Sequence, residues 1–341
     1  MLTNAFNCLP TAIGSMPHTD PLAACSAVTR FLKDIPCWPQ LPRRSFLENM
    51  YAQYSQGFPG VVLGKDSIHI DRSQDVSQPL EELYTAYLEN NADRYPVGAD
   101  YAAGLHRFLS LTGLTPLAVK GQVTGPVTWG LTVTDDTGKA ILYDETLGDA
   151  VPKLLKLKAA WQEKALSKIS KNTIIFVDEP YMSAFGSISM NLSGERVISL
   201  LEEVLAGISG LKGVHCCGNT DWSVLLDTSV DIISFDTYNY AQSLSLYPEA
   251  VKKFLDRQGT IAWGIVPNDE ESLTRESVAS LRDRLEEAIA PFTRKDIRFR
   301  QLLAQGLLTP SCGIDLATED AASRALELLA ELSQEIRKRY L

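Results

Sequence analysis

The segment VHCCGNTDW, residues 214–222, places one histidine and two adjacent cysteines after an apolar residue. In an extended strand alternate side chains share a face, so His215 and Cys217 point one way and Cys216 the other, toward a helical layer where it only packs. Imidazole and thiolate at that spacing suit one cation, and this donor set selects zinc among the common divalent ions. Further donors would have to come from other strand ends. Cys312 in TPSCG and Asp236 in DIISFD are the candidates. The residues alone leave two readings level, because the pattern lacks the Cys-x-x-Cys pair of structural zinc sites and cysteines are often buried as small apolar groups. An open zinc site would favour one chemistry in particular. A free thiol of pKa about 8.5 is only slightly ionised at neutral pH, whereas coordination deprotonates it and leaves it nucleophilic, so the reaction class is alkylation of a substrate thiol.

Such residues need a scaffold that brings distant strand ends together. Short apolar runs occur at 11–15, 60–64, 117–123, 173–180, 213–217, 231–236, 260–267 and 307–313, and helical periodicity occurs at 151–170, 194–207, 243–256, 275–290 and 319–338. This alternation predicts an α/β fold, a single (β/α)8 TIM barrel spanning residues 1–341 as one domain. Reactive residues gather at the carboxyl ends of the strands, where such barrels carry their sites. No strand is followed by a Gly-x-Gly-x-x-Gly turn, which argues against a doubly wound dinucleotide fold. Two stretches interrupt the repeat and are expected as insertions over the carboxyl-terminal face. One is the proline- and aromatic-rich 32–58, and the other is 130–147, expected as a hairpin around Asp-Asp-Thr-Gly.

The formal net charge of -10 opposes binding to nucleic acid or to an anionic membrane surface, and no apolar run reaches the length of a membrane span. A small molecule or another protein is the expected partner. The start of the chain shows no basic segment followed by an apolar one, and the six cysteines do not form a secreted disulfide pattern, so a cytoplasmic protein with reduced thiols is expected.

Taken in order, AIGSMPHTD, VTGPVT, FVDEP, VHCCGNTDW, DIISFD and TPSCG resemble the carboxyl-terminal catalytic barrel of cobalamin-independent methionine synthase. The wider superfamily includes uroporphyrinogen decarboxylase and the methylcobamide:coenzyme M methyltransferases. The resemblance implies zinc held by His215, Cys217, Asp236 and Cys312, with Asp236 standing where the family usually has glutamate. It also implies homocysteine as acceptor, its carboxylate at the backbone of Ile13, Gly14 and Ser15 and its ammonium at Asp178. Several departures bear on the methyl donor. The chain is expected to work without the extra amino-terminal barrel of the folate-dependent synthases, and AWGIVPND has no histidine to protonate a departing folate nitrogen. Trp129 follows Thr128 too closely to match the pterin-stacking tryptophan, and no glutamate near Arg43, Arg44 and Glu48 matches the family's early ammonium ligand. The expected donor is therefore methylcobalamin or a methylated corrinoid protein. Three alternatives stand beside this reading: methylation of another thiol such as coenzyme M, a uroporphyrinogen-decarboxylase-like enzyme, and a non-catalytic zinc-stabilised corrinoid-binding protein.

Overall fold

The computed structural model describes residues 5–188 and 190–341. Its ten strands are β1 (Leu9–Pro10), β2 (Val61–Leu63), β3 (Ile68–Ile70), β4 (Val119–Thr124), β5 (Thr134–Asp135), β6 (Thr173–Asp178), β7 (Leu211–Cys216), β8 (Ile232–Phe235), β9 (Thr260–Val266) and β10 (Gly306–Pro310). Seven of them form one sheet in the order β1-β10-β9-β8-β7-β6-β4. Every pairing in it is parallel. β4, β6, β8, β9 and β10 are buried along their whole length, as a parallel sheet covered by helices requires.

The connecting helices follow the amphipathic periods in the sequence, and two of the long ones begin at side-chain caps. The Ser193 side chain accepts from the Arg196 amide at the head of Gly194–Leu205, and Thr318 does the same for Ala321 at the head of Glu319–Tyr340. The second of these helices carries Glu319 and Asp320 in its first turn and Arg337, Lys338 and Arg339 in its last, matching the helix dipole at both ends. Among the described residues no helix is long and apolar enough to cross a membrane.

Two expectations about the strands change. GVVLG does form a strand, but β2 pairs with β3, which pairs with β5, in a separate three-stranded sheet. Residues 34–40 lie between the two edges of the large sheet instead. The Lys120 amide donates to the Pro36 carbonyl at 2.9 Å, the Gln40 amide to Gly14 at 2.9 Å and the Met16 amide to Gln40 at 2.9 Å. These contacts give isolated bridges, Cys37 with Lys120 and Ser15 with Gln40, and no continuous strand. Pro36 and Pro39 lack the N–H groups that a ladder would need.

The expected hairpin at 130–147 is present but short: Thr134 and Ala140 form an antiparallel bridge around the turn, and the Ile141 amide donates to Val133 at 2.9 Å. The Asp135 amide donates to Lys139 and the Gly138 amide to Asp135, both at 2.9 Å, while residues before and after are helical in Pro126–Thr132 and Leu147–Leu166.

Strand alternation sorts the faces of the large sheet. Ile174, Phe176 and Asp178 share one side of β6, and Leu211, Gly213 and His215 the matching side of β7. On that side, toward the amino ends, Phe6, Leu9, Ile174, Phe176, Ile232 and Leu307 pack with Ile35, Ala118 and Ala262 into a separate apolar cluster.

Candidate metal and substrate site

β6 and β7 lie in register so that Asp178 is directly opposite His215. Cys217 follows the last residue of β7, and Cys312 lies two residues beyond β10. A cavity of about 220 Å3 opens at these strand ends, and Asp178, His215, Cys217 and Cys312 line it together with Ile13 and Ser15. The insertion at 32–58 forms another wall, through Gln40, Pro42, Glu48, Asn49 and Met50. The turn at 135–139 contributes nothing to the lining.

One ligand atom each from His215, Cys217 and Cys312 lie within 4.8 Å of one another. Ser234 Oγ meets Nδ1 of His215 at 3.0 Å and fixes the ring, while Nε2 is buried without a hydrogen-bond partner. A buried imidazole nitrogen left unpaired beside two thiols is the arrangement expected of a metal ligand, so these residues fit a zinc ion. A hydrogen bond from Cys312 and the nearby His215 hold the Cys217 thiol well below its ordinary range, and Cys312 is pushed up in turn. Cys216 faces away, fully buried in the main core, and burial pushes its thiol up to about 12.

Asp236 stands outside the three-donor group. Its Oδ1 accepts from the Asn239 amide at 2.8 Å, capping the helix Thr237–Tyr240, and its Oδ2 accepts from Asn239 Nδ2 at 2.7 Å. Both oxygens are occupied, although each retains a second lone pair.

Asp178 and Glu179 are adjacent and differ completely. Both Glu179 oxygens take backbone amides, Val127 at 2.9 Å and Thr128 at 2.7 Å, so this carboxylate anchors the helix that follows β4. Gly125 is required for the approach, since a Cβ there would lie 2.2 Å from Glu179 Cδ. Asp178 faces the cavity with Oδ1 unpaired, and burial raises its pKa to about 6. Lys120 opposes that rise.

Sequence reasoning missed Glu48. Its Oε1 accepts from Arg44 at 2.8 Å while Oε2 is buried and unpaired at the cavity, and burial raises its pKa. Only its place in a proline-rich loop hid it. Ile13 and Ser15 line the cavity, and the Ile13 carbonyl is held by Lys120 Nζ at 2.7 Å. Gly14 has φ of +147°, and a Cβ there would lie 2.6 Å from the Gln122 amide, so no larger residue fits.

The remaining histidines serve elsewhere. His106 Nε2 lies 2.8 Å from the Val97 carbonyl, and His18 and His69 face Glu319 and Asp136. Trp129 is buried, donates to the Tyr51 carbonyl at 2.9 Å and packs at a tilt against Phe58, outside the cavity lining.

No protein-family model matches the chain. It is similar to the methionine synthase of Methanocaldococcus jannaschii, 23% identical over 223 residues, which cover 64% of this chain and 65% of that protein. Among solved structures it resembles a B12-independent methionine synthase from Shewanella sp. W3-18-1 in complex with selenomethionine, with a TM-score of 0.59 and 16% identity over 97% of this chain and 98% of that one. A methyltransferase from Methanosarcina mazei aligns equally well, with a TM-score of 0.59 and 13% identity over 97% and 99% of the two chains. These likenesses show a shared fold.

Proposed function

We propose that this protein is a methyltransferase of the methionine synthase type, transferring a methyl group to the thiol of homocysteine. The observation that carries the reading is the composition of the cavity. Three soft donors converge in it, and its charged side chains are all acidic: Glu48, Asp178 and Asp315, with no lysine or arginine in the lining. An amino-acid thiol suits that lining, because its ammonium finds the unpaired oxygens of Asp178 and Glu48. A sulfonate thiol or a tetrapyrrole polycarboxylate would find no lysine or arginine in that lining to pair with. The substrate carboxylate is assigned to the backbone of Ile13, Gly14 and Ser15. Residues 34–40 take the place of the eighth strand of a (β/α)8 barrel in this reading.

His215, Cys217 and Cys312 would hold zinc, with Asp236 as a fourth ligand on release of Asn239. Zinc supplies a deprotonated substrate thiol at neutral pH. Ser234 holds the imidazole so that Nε2 is presented, and Asp178 with Glu48 anchors the ammonium so that the sulfur points at the donor. In the transfer a carbon–sulfur bond forms as the bond from methyl to its donor breaks. The donor is assigned as methylcobalamin or a methylated corrinoid protein, whose cobalt leaves without needing a proton. In support, His215 is the one histidine in the lining, and the segment AWGIVPND carries no histidine that could protonate a departing folate nitrogen.

The test offers homocysteine with methylcobalamin and with methyltetrahydrofolate side by side, on protein whose zinc content is measured. Transfer from the corrinoid, and an added sulfur in the zinc shell on homocysteine binding by X-ray absorption, are expected. Comparable turnover from the folate sinks the donor assignment, and a zinc shell unchanged by homocysteine sinks the acceptor assignment.

A further inference from the structure

We infer that Asn268 is a positioning residue that presets Cys312 for metal ligation; the inference rests on the metal site proposed above. Cys312 sits on a bend beyond β10, outside any strand, so neither sheet pairing nor helix fixes its side chain. Asn268 spans that bend. Its Nδ2 donates to the Gly313 carbonyl at 3.1 Å, and its Oδ1 accepts from Ser311 Oγ at 3.1 Å, so one amide grips the residues on either side of Cys312. The orientation of the amide follows from its partners, because a carbonyl can only accept.

An irregularity in the sheet makes the grip possible. The β9–β10 register runs Leu308 with Trp263 and Thr309 with Gly264, then jumps to Pro310 with Val266. The extra residue, Ile265, is a bulge of the kind that re-aims a strand end beside a site. Beyond it the Ser311 amide donates to the Val266 carbonyl at 2.7 Å, and Asn268 arrives alongside residues 311–313.

The opposite side of the bend is held by the Ile13–Ser15 segment. The Ile314 amide donates to the Ser15 carbonyl at 3.1 Å, Ser15 Oγ donates to Asp315 at 2.8 Å, and a Cβ on Gly313 would lie 1.8 Å from Ser15 Oγ. Cys312 is therefore clasped between the substrate segment and Asn268. Groups that orient a ligand in this way typically change metal affinity by roughly ten- to hundred-fold when removed.

The experiment compares the parent protein with Asn268→Ala, Asn268→Asp and Ser311→Ala, measuring zinc affinity by chelator competition. In the metal-free proteins it also measures the rate at which iodoacetamide modifies Cys312, with Cys217 as internal reference. Asn268→Ala is expected to weaken zinc binding roughly ten- to hundred-fold and to speed modification of Cys312 relative to Cys217. Asn268→Asp, which keeps the acceptor for Ser311 and loses the donor to Gly313, should show a similar change with the fold intact. Ser311→Ala should show a smaller one. Unchanged zinc affinity together with an unchanged Cys312 rate in Asn268→Ala and Asn268→Asp overturns the inference. A parent protein that takes up no zinc overturns the metal assignment instead, and the alkylation rates then decide the role of Asn268 on their own.

Discussion

The two ends of the inward face of the sheet are built from the same strands and do opposite things. Toward the amino ends Phe6, Leu9, Ile174, Phe176, Ile232 and Leu307 close the interior with apolar side chains. Two residues further along β6 the same face carries Asp178, and the matching position on β7 carries His215, each with a buried polar atom left unpaired. Lys120 stands at the border, its ammonium 4.3 Å from the centre of the Phe176 ring and 2.7 Å from the Ile13 carbonyl. Alternation decides which face a residue occupies, and position along the strand decides whether it closes the interior or works. The plug can then carry stability while the upper layer leaves polar atoms unsatisfied, a cost a packed core elsewhere must offset.

The sharpest way to break this comparison is at the upper layer. His215→Ala, Cys217→Ser and Cys312→Ser should each abolish zinc retention and methyl transfer, measured on one preparation, while the metal-free proteins stay folded by circular dichroism. The lower layer should behave in reverse. Phe176→Ala is expected to cost about 3–5 kcal/mol in chemical denaturation, with the zinc stoichiometry of the folded fraction unchanged.

Between the layers, Asp178→Asn removes a charged hydrogen bond to the substrate ammonium worth about 1.5–3 kcal/mol, so the KM for homocysteine should rise roughly ten- to hundred-fold with a smaller change in kcat. The same substitution has a signature in the metal-free protein. Burial raises Asp178 to about 6, so its contribution to stability is full below the ordinary aspartate range and is lost as pH rises through 6. The difference is at most about 3 kcal/mol, and the asparagine variant should lose that part of the pH dependence. The smallest effect belongs to Cys216→Ser, which should retain zinc and activity and lose about 1 kcal/mol or somewhat more, because a hydroxyl is placed in an apolar layer.

Much of this arrangement was legible in the residues. Period-two alternation separated Cys217 from Cys216, and the structure puts the first in the cavity and the second in the core. Long amphipathic helices and the buried strands β6 and β9 were equally plain, because their apolar runs exceed what a loop would carry. The segment at 34–40 was not, since two prolines remove the periodic signal and only isolated bridges tie it to its neighbours. GVVLG misled for the opposite reason: it has strand composition but pairs in the small sheet. Glu48 and Asn268 carry no motif, and their importance comes from cavity walls and a register jump that only tertiary structure creates. Asp236 shows the remaining limit, because a strand-end acid and a helix cap look the same in sequence.

The way the sheet is closed also orders the events of folding. Leu9 pairs with Leu307, and Ser15 meets Asp315 across 300 residues of chain. Contacts between such distant residues form late, after local helices and neighbouring strands have reduced the entropy of joining them. Cys312 is brought to His215 and Cys217 by the β10–β9, β9–β8 and β8–β7 pairings, so it joins them only once these three have formed. A nascent or partly folded chain offers a histidine and a cysteine without their third partner, so the complete donor set is a mark that these pairings are in place.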